Sequence, residues 1–399
     1  MTRKSSSYAS MGIVSLIAVM LGTSVCAQES HGIRFNNLTI SPYVNLEANF
    51  DSNVDIDTQG YDDWYLTINP GVDLTYTGND WGLSGNLWYS YDKYQQYDVL
   101  DEPRYGEKLT GHWASPKGLS LVVGQSYMKS KSNDSILDGG RGIWRERDYL
   151  DFQGALSYQI GERMGLTLSG QYSDLNYKND SNKYGKLYGW EEWSVGLQLA
   201  RKLTEKSNFL VSGTYQEYES EGAQGNGFKR GSEGYSLMAG VGSRATERIN
   251  YRLMTGANWF DYGNQGNTVG WTYSIDVNWL INNKWSATVV GSSYFQPSET
   301  EANQSMQVYT ISSGVTYRPF QKLSLHGDIA YRQENDEYGR TGYGVKMEDD
   351  IWSARFRANY QLQQYVSVYA GIEYTDWQSD RKEFEYDRFL GTVGVKLRY

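Results

Sequence analysis

From about residue 40 to the carboxy terminus, apolar and polar side chains alternate with a period of two, run after run, and few folds tolerate such a chain. At its end Phe389, Gly391, Val393, Val395, Leu397 and Tyr399 interleave with Leu390, Thr392, Gly394, Lys396 and Arg398. A period of two marks a β-strand whose two faces meet different surroundings. Ile40, Pro42, Val44, Leu46, Ala48 and Phe50 likewise oppose Ser41, Tyr43, Asn45, Glu47 and Asn49. In the next run Leu66, Ile68, Pro70, Val72, Leu74 and Tyr76 share a face and leave Asp73 on the other. A single run would suit a soluble sandwich equally well. A whole chain of them, ending on an aromatic residue, predicts an all-β fold: a transmembrane antiparallel up-and-down β-barrel.

The connections supply the strand count. Short turns at 78–80, 115–118, 161–164, 202–206, 245–248, 281–284, 318–322 and 363–365 alternate with long polar connections near 51–63, 92–104, 129–148, 174–187, 217–233, 261–268, 296–306, 333–349 and 377–387. That alternation predicts about eighteen strands, with sixteen as the alternative. Short turns belong on the periplasmic side of a bacterial outer-membrane barrel, which puts both termini in the periplasm. Aromatic pairs bracket the apolar faces: Trp271 and Trp279, Trp285 and Phe295, Tyr309 and Tyr317, Trp352 and Tyr360, Phe389 and Tyr399. Eight to ten tilted residues at ~3.3 Å each span roughly 20–25 Å, the height of a lipid-facing band between two aromatic girdles. The mean hydropathy of −0.63 is compatible with this, because only alternate side chains would face lipid.

Residues 1–27 have a different grammar. Arg3 and Lys4 precede an apolar stretch over 12–21, followed by Val25-Cys26-Ala27. This is the layout of a secretory signal peptide cleaved after Ala27, with the barrel occupying 28–399. The apolar stretch is too short to cross a hydrocarbon core of about 30 Å as a helix. Cleavage would remove the single cysteine, so the mature chain would have neither a disulfide nor a thiolate metal ligand. The chain has 37 Lys and Arg against 47 Asp and Glu, and no basic tract, so nucleic acid is not an expected partner.

Ile40-Ser41-Pro42-Tyr43-Val44 leads into Phe50-Asp51-Ser52-Asn53-Val54. A first strand ending in an aromatic-Asp-Ser-Asn-Val run resembles the beta-barrel porin 2 families of Gram-negative bacteria, which include barrels encoded with exopolysaccharide systems. The resemblance implies a porin-like barrel of the outer membrane and no catalytic residue.

Catalytic constellations are sparse. The histidines are His31, His112 and His326; the last two alternate inward, away from the lipid-facing edge a barrel lipase would use. Loop runs at 178–182 and 334–337 lack EF-hand spacing, so neither an enzyme nor a cofactor is expected. The inward parity instead predicts a charged lining of Glu47, Asp73, Asp151, Glu192, His326, Asp328, Arg332, Arg355, Arg357, Arg388, Lys396 and Arg398, with Glu373 among them. Two readings of it stand: a field across the lumen between the arginines and Asp151 with Glu192, or ion-pair ladders between neighbours such as Arg355 and Asp328. The third long connection, 129–148, holds Ile136, Leu137, Ile143 and Trp144, and admits two readings: it folds inward as a constriction presenting Asp138, Arg141 and Arg145, or it forms an ordered extracellular cap held by Trp144. Phe389 and Tyr399 are expected to act as the assembly signal. The expected function is passive diffusion of small hydrophilic solutes, saccharides among them, because sixteen to eighteen strands generally leave an aqueous channel. Only about ten residues separate Ala27 from the first strand, too few for the plug of an active 22-strand transporter. The other expected partners are outer-membrane lipid and the barrel-assembly machinery, and an oligomer is compatible with the sequence. A structural or adhesion barrel, whose acidic and aromatic loops bind a surface partner, is the alternative.

Overall fold

The computed structural model describes residues 32–56, 58–130, 146–178, 189–220, 231–261, 267–297, 305–336, 347–380, 382 and 385–399. A short strand β1 (Ile33–Phe35) precedes β2 (Leu38–Asp51), β3 (Asp63–Thr77), β4 (Trp81–Tyr94), β5 (Glu102–Ala114), β6 (Leu119–Ser130) and β7 (Arg147–Ile160). Then come β8 (Met164–Tyr177), β9 (Trp190–Lys202), β10 (Ser207–Ser220), β11 (Gly231–Thr246), β12 (Ile249–Asp261) and β13 (Asn267–Leu280). The chain ends with β14 (Trp285–Pro297), β15 (Ser305–Phe320), β16 (Leu323–Asp336), β17 (Met347–Gln363), β18 (Val366–Ser379) and β19 (Tyr386–Arg398). Each strand from β2 to β19 pairs antiparallel with its sequence neighbours, and β19 pairs back onto β2, closing an eighteen-strand barrel.

The burial pattern inverts that of a soluble domain. Leu66, Ile329 and Val393 are exposed on the outer surface, while Asn49, Thr67, Asn69 and Asp276 are buried on the inner one. Lipid is the solvent for the outer face, so apolar side chains belong there. Register keeps the faces separate: Asn45 opposes Asn69 and Glu47 opposes Thr67, whereas Leu46 opposes Ile68. The inner residues then bond across strands. Asn45 Nδ2 donates to Asn69 Oδ1 (2.9 Å), Asn49 Nδ2 to Thr67 Oγ1 (3.1 Å), and Thr67 Oγ1 to Asp92 Oδ1 (2.7 Å).

Two differences from the sequence pattern have physical causes. Several strands run past the alternating segments toward the long connections, because there the inner face carries apolar side chains too. Tyr149, Leu175, Tyr177, Trp190 and Tyr218 form one such buried cluster on β7 to β10. The second concerns Phe295, expected in the outer girdle but only 6% exposed, with its ring centroid 5.2 Å from that of Phe260 on the inner face of β12. Beyond Ser292 the ladder of β14 to β13 stops, and the freed end of β14 lies against the inner side of the wall.

Candidate functional site

The inner face of β16 to β19 carries the predicted cations, and most of their partners lie diagonal to them, along the same strand or one strand farther on, not directly opposite. Arg355 lies opposite both Asp328 and Glu373. Its Nε donates to Glu373 Oε2 at 2.8 Å, so the rung anticipated with Asp328 forms on the other side. Asp328 instead faces His326 of its own strand, with Oδ1 3.3 Å from Nε2, and His326 Nδ1 lies 2.9 Å from Thr316 Oγ1. Arg332 Nε donates to Glu334 Oε1 at 2.5 Å. Arg398 reaches across β2 to Asp73 at 3.1 Å, and Asp73 also accepts from Asn86 Nδ2 at 2.8 Å.

Aromatic rings hold the remaining cations. The Arg357 guanidinium sits 4.6 Å from the centroid of Tyr369, and Lys396 Nζ sits 4.4 Å from that of Tyr43, both within cation–π range. Tyr369 lies across Gly394, where a Cβ would come within 2.4 Å of the ring, and its hydroxyl donates to Glu47 at 2.6 Å. A glycine is needed there for the ring to pass. On the far arc Asp151 accepts from Gln171 Nε2 (2.8 Å) and Ser173 Oγ (2.9 Å), and Glu192 stands in register with Ser173 and Tyr218. The lining is thus wired locally, as ladders. Arg332, Arg355, Arg388 and Arg398 each face a carboxylate, which removes much of the source of a field across the lumen.

At the end of the barrel with the long connections, the first of them turns inward. Val54 is buried with Tyr94 and Leu100 against Tyr65 and Tyr97, while Ile56 is buried against Trp377 and Tyr386. Tyr65 and Trp377 belong to inward parities, since Tyr65 opposes Asn49 and Trp377 opposes Ile351, two residues removed from Ser353 in the parity of Arg355. The loop start therefore packs on the inner wall. Ile56 adopts φ 49°, a left-handed conformation that costs a β-branched residue energy and persists only where packing enforces it.

Asp51 anchors this turn. It is 1% exposed and accepts both from Arg388 Nε, at 2.9 and 3.1 Å, and from Arg388 Nη2. The same carboxylate accepts from the Asn53 backbone N–H at 3.0 Å, and Asn53 Nδ2 donates to Asp387 O at 3.2 Å. Ser52 N donates to Phe389 O (3.0 Å), and Phe389 N donates to Ser52 Oγ (2.8 Å). Phe50-Asp51-Ser52-Asn53-Val54 thus buckles the first barrel strand to the last and sends the chain into the lumen. Its inward packing was not foreseen, although the motif itself was the available signal. Asp138, Arg141 and Arg145, read as a constriction in the third connection, lie outside the described residues. Of the proposed assembly residues, Phe389 lies on the outer surface with its ring 6.5 Å from that of Phe50, and Tyr399 stacks on Tyr365 at 5.6 Å.

Comparison with known proteins adds a family. The sequence profile described as "Putative beta-barrel porin 2" matches residues 27–399. No curated protein matches the chain. Among solved structures, the siderophore receptor PirA from Pseudomonas aeruginosa aligns with a TM-score of 0.47 at 8% identity, over 93% of this chain and 81% of that one. PirA from Acinetobacter baumannii gives 0.45 at 7% identity, over 90% and 80% of the two chains. The FrpB iron transporter from Neisseria meningitidis gives 0.46 at 10% identity, over 87% and 63%.

Proposed function

The chain belongs to the beta-barrel porin 2 family and is a β-barrel of the bacterial outer membrane, and from that premise we propose that it passes small hydrophilic solutes by passive diffusion. One observation carries the reading: the inner face is lined by hydrogen-bonded polar and charged side chains while the outer face is apolar. Eighteen strands are in the range that generally encloses an aqueous channel. Locally paired charges offer a wet lining without a strong bias toward either sign of ion. Hydroxyl, amide and aromatic groups such as Ser173, Gln171 and Tyr369 suit small saccharides among the solutes.

In this proposal the short turns and both termini face the periplasm, residues 1–27 are removed as a signal peptide, and the long connections face outward. The inward-packed start of the first long connection narrows the mouth on the side of β2 and β19. Purified protein in a planar bilayer should give discrete single-channel steps, and vesicles containing it should swell in small sugars. Replacing residues 54–60 with a Gly-Ser linker should raise the conductance, because it removes the Val54 and Ile56 anchors. Absence of steps from a correctly folded, heat-modifiable barrel would overturn the diffusion reading.

A further inference from the structure

The wall is not hydrogen-bonded uniformly. β13 and β14 persist as strands to Asn267 and Pro297, but their shared ladder covers only Ser274–Leu280 against Ser286–Ser292. Beyond that point β13 keeps its pairing with β12 and β14 keeps its pairing with β15, so the two hairpins part from one another. Side chains bridge the gap. Ser293 Oγ donates to Trp271 O (3.0 Å) and accepts from Tyr273 N (3.1 Å), and Thr272 Oγ1 donates to Ser293 O (2.9 Å). Gln307, on β15, reaches past β14 to donate to Trp271 O (2.9 Å), and its amide lies where a Cβ on Gly270 would be. A ladder of main-chain bonds forms and breaks as a unit. A few side-chain latches can exchange individually with a competing ligand or with water.

Both sides of this seam are apolar. Outside, Val269 and Trp271 are 62% and 57% exposed on the lipid-facing surface. Inside, Phe260 packs on Phe295, and Met238 Sδ lies 3.9 Å from Thr272 Oγ1 at the foot of the open segment. Met238 continues into an inward patch with Leu210 and Met254. Leu210, Met238 and Met254 are buried, at 6%, 9% and 3% exposed, and form one of several apolar clusters on the inner face, the one that adjoins the seam. A wholly hydrophilic solute gains nothing from such a track, whereas a flexible apolar chain does, and methionine adapts readily to its shape.

We propose that the β13–β14 seam is a lateral portal by which the apolar tail of a single-chain amphiphile, such as a long-chain fatty acid, passes between the lumen and the adjoining lipid leaflet. The proposal goes beyond the diffusion of hydrophilic solutes and stands without it. The polar head remains among the seryl, threonyl and amide groups of Ser293, Thr272 and Gln307 while the tail lies along Met238 and Met254. Passage requires the latch strands to part and Met238 and Met254, now 9% and 3% exposed, to be uncovered.

The test uses the full barrel in phosphatidylcholine vesicles and a C16 fatty acid with a photoreactive terminal methyl end. Labelled peptides are mapped by mass spectrometry. Labelling is expected on the lumen-facing segment around Met238 and Met254 as well as on the lipid-facing side chains. In a Cys26→Ser background, Thr272→Cys with Ser293→Cys staples the seam on oxidation; lumen labelling should then be lost and should return on reduction. The unstapled variant Ser293→Ala with Gln307→Ala should instead raise the rate of lumen labelling by about tenfold, the equivalent of about 1.4 kcal/mol of lost latch bonding. Lumen labelling that is absent throughout, or indifferent to both variants, would overturn the portal. Conductance to hydrophilic solutes should be unchanged by the staple, so failure of the diffusion reading would be seen separately.

Discussion

Replacing Asp51 by Asn should loosen the junction at which the barrel closes. The carboxylate is buried and takes three contacts from the Arg388 guanidinium and one from the Asn53 amide. Removing one partner of a buried pair typically costs 3–5 kcal/mol, because the other charge is left without compensation. The Arg388 side chain is 25% exposed and so recovers part of its hydration, which places the loss near the lower bound, about 3 kcal/mol. With a urea slope of about 2 kcal/mol per molar, the unfolding midpoint would fall by about 1.5 M. Tryptophan fluorescence in urea, with retention of the heat-modifiable band as a second readout, would measure it. The double variant Asp51→Asn with Arg388→Met should lie closer to wild type than the sum of the single variants, since the orphaned charge is gone. An unchanged midpoint for Asp51→Asn, or strict additivity in the double variant, would refute the reasoning.

Val393→Arg places a charge at an outward position that is 65% exposed to lipid and should cost about 2–4 kcal/mol near the midplane, read by urea titration. Thr392→Arg, one residue away on the lumen face, should lose little beyond the hydrogen bond that Thr392 makes to Asn49 Oδ1. Equal effects at the two sites would mean that the faces are wrongly assigned. Gly394→Val should push the Tyr369 ring off its path and break its bond to Glu47, costing about 1–3 kcal/mol by the same titration. Deleting Tyr399 removes the stack on Tyr365 and the bond from Tyr399 N to Pro42 O, and should lower the yield of heat-modifiable barrel in outer membranes.

Much of the barrel was legible because lipid and lumen impose opposite demands on adjacent residues. Ile40 to Phe50 and Phe389 to Tyr399 declare their faces residue by residue, and the paired faces follow once one strand is placed. The charged lining was legible as parity but not as partnership. Whether Arg355 takes Asp328 or Glu373 depends on side-chain reach between two equally good register positions, which no alternation encodes. Phe295 failed for a different reason: its parity continues through the strand, while the strand itself leaves the ladder and exchanges a lipid surface for Phe260. The inward loop start lay hidden in Val54 and Ile56, which resemble ordinary loop residues until Trp377 and Tyr386, far along the chain, are placed beside them.

The buckle at Asp51 and Arg388 bears on how the barrel fixes its own shear. Closing a sheet into a cylinder leaves one junction whose offset is decided between the two ends of the chain, and here that junction is β19 against β2. A slip by one residue would turn the Arg388 guanidinium toward lipid and leave the Asp51 carboxylate facing no cation. A slip by two preserves the faces; because Asp51 lies opposite Leu390, a slip in one direction moves Arg388 about 6.6 Å farther along the strand, while a slip in the other sets the two charges directly opposite. Apolar alternation alone punishes only odd slips. The diagonal ion pair penalises one of the two even slips, and the reciprocal bonds between Ser52 and Phe389 penalise both, so the circumference closes at a single offset.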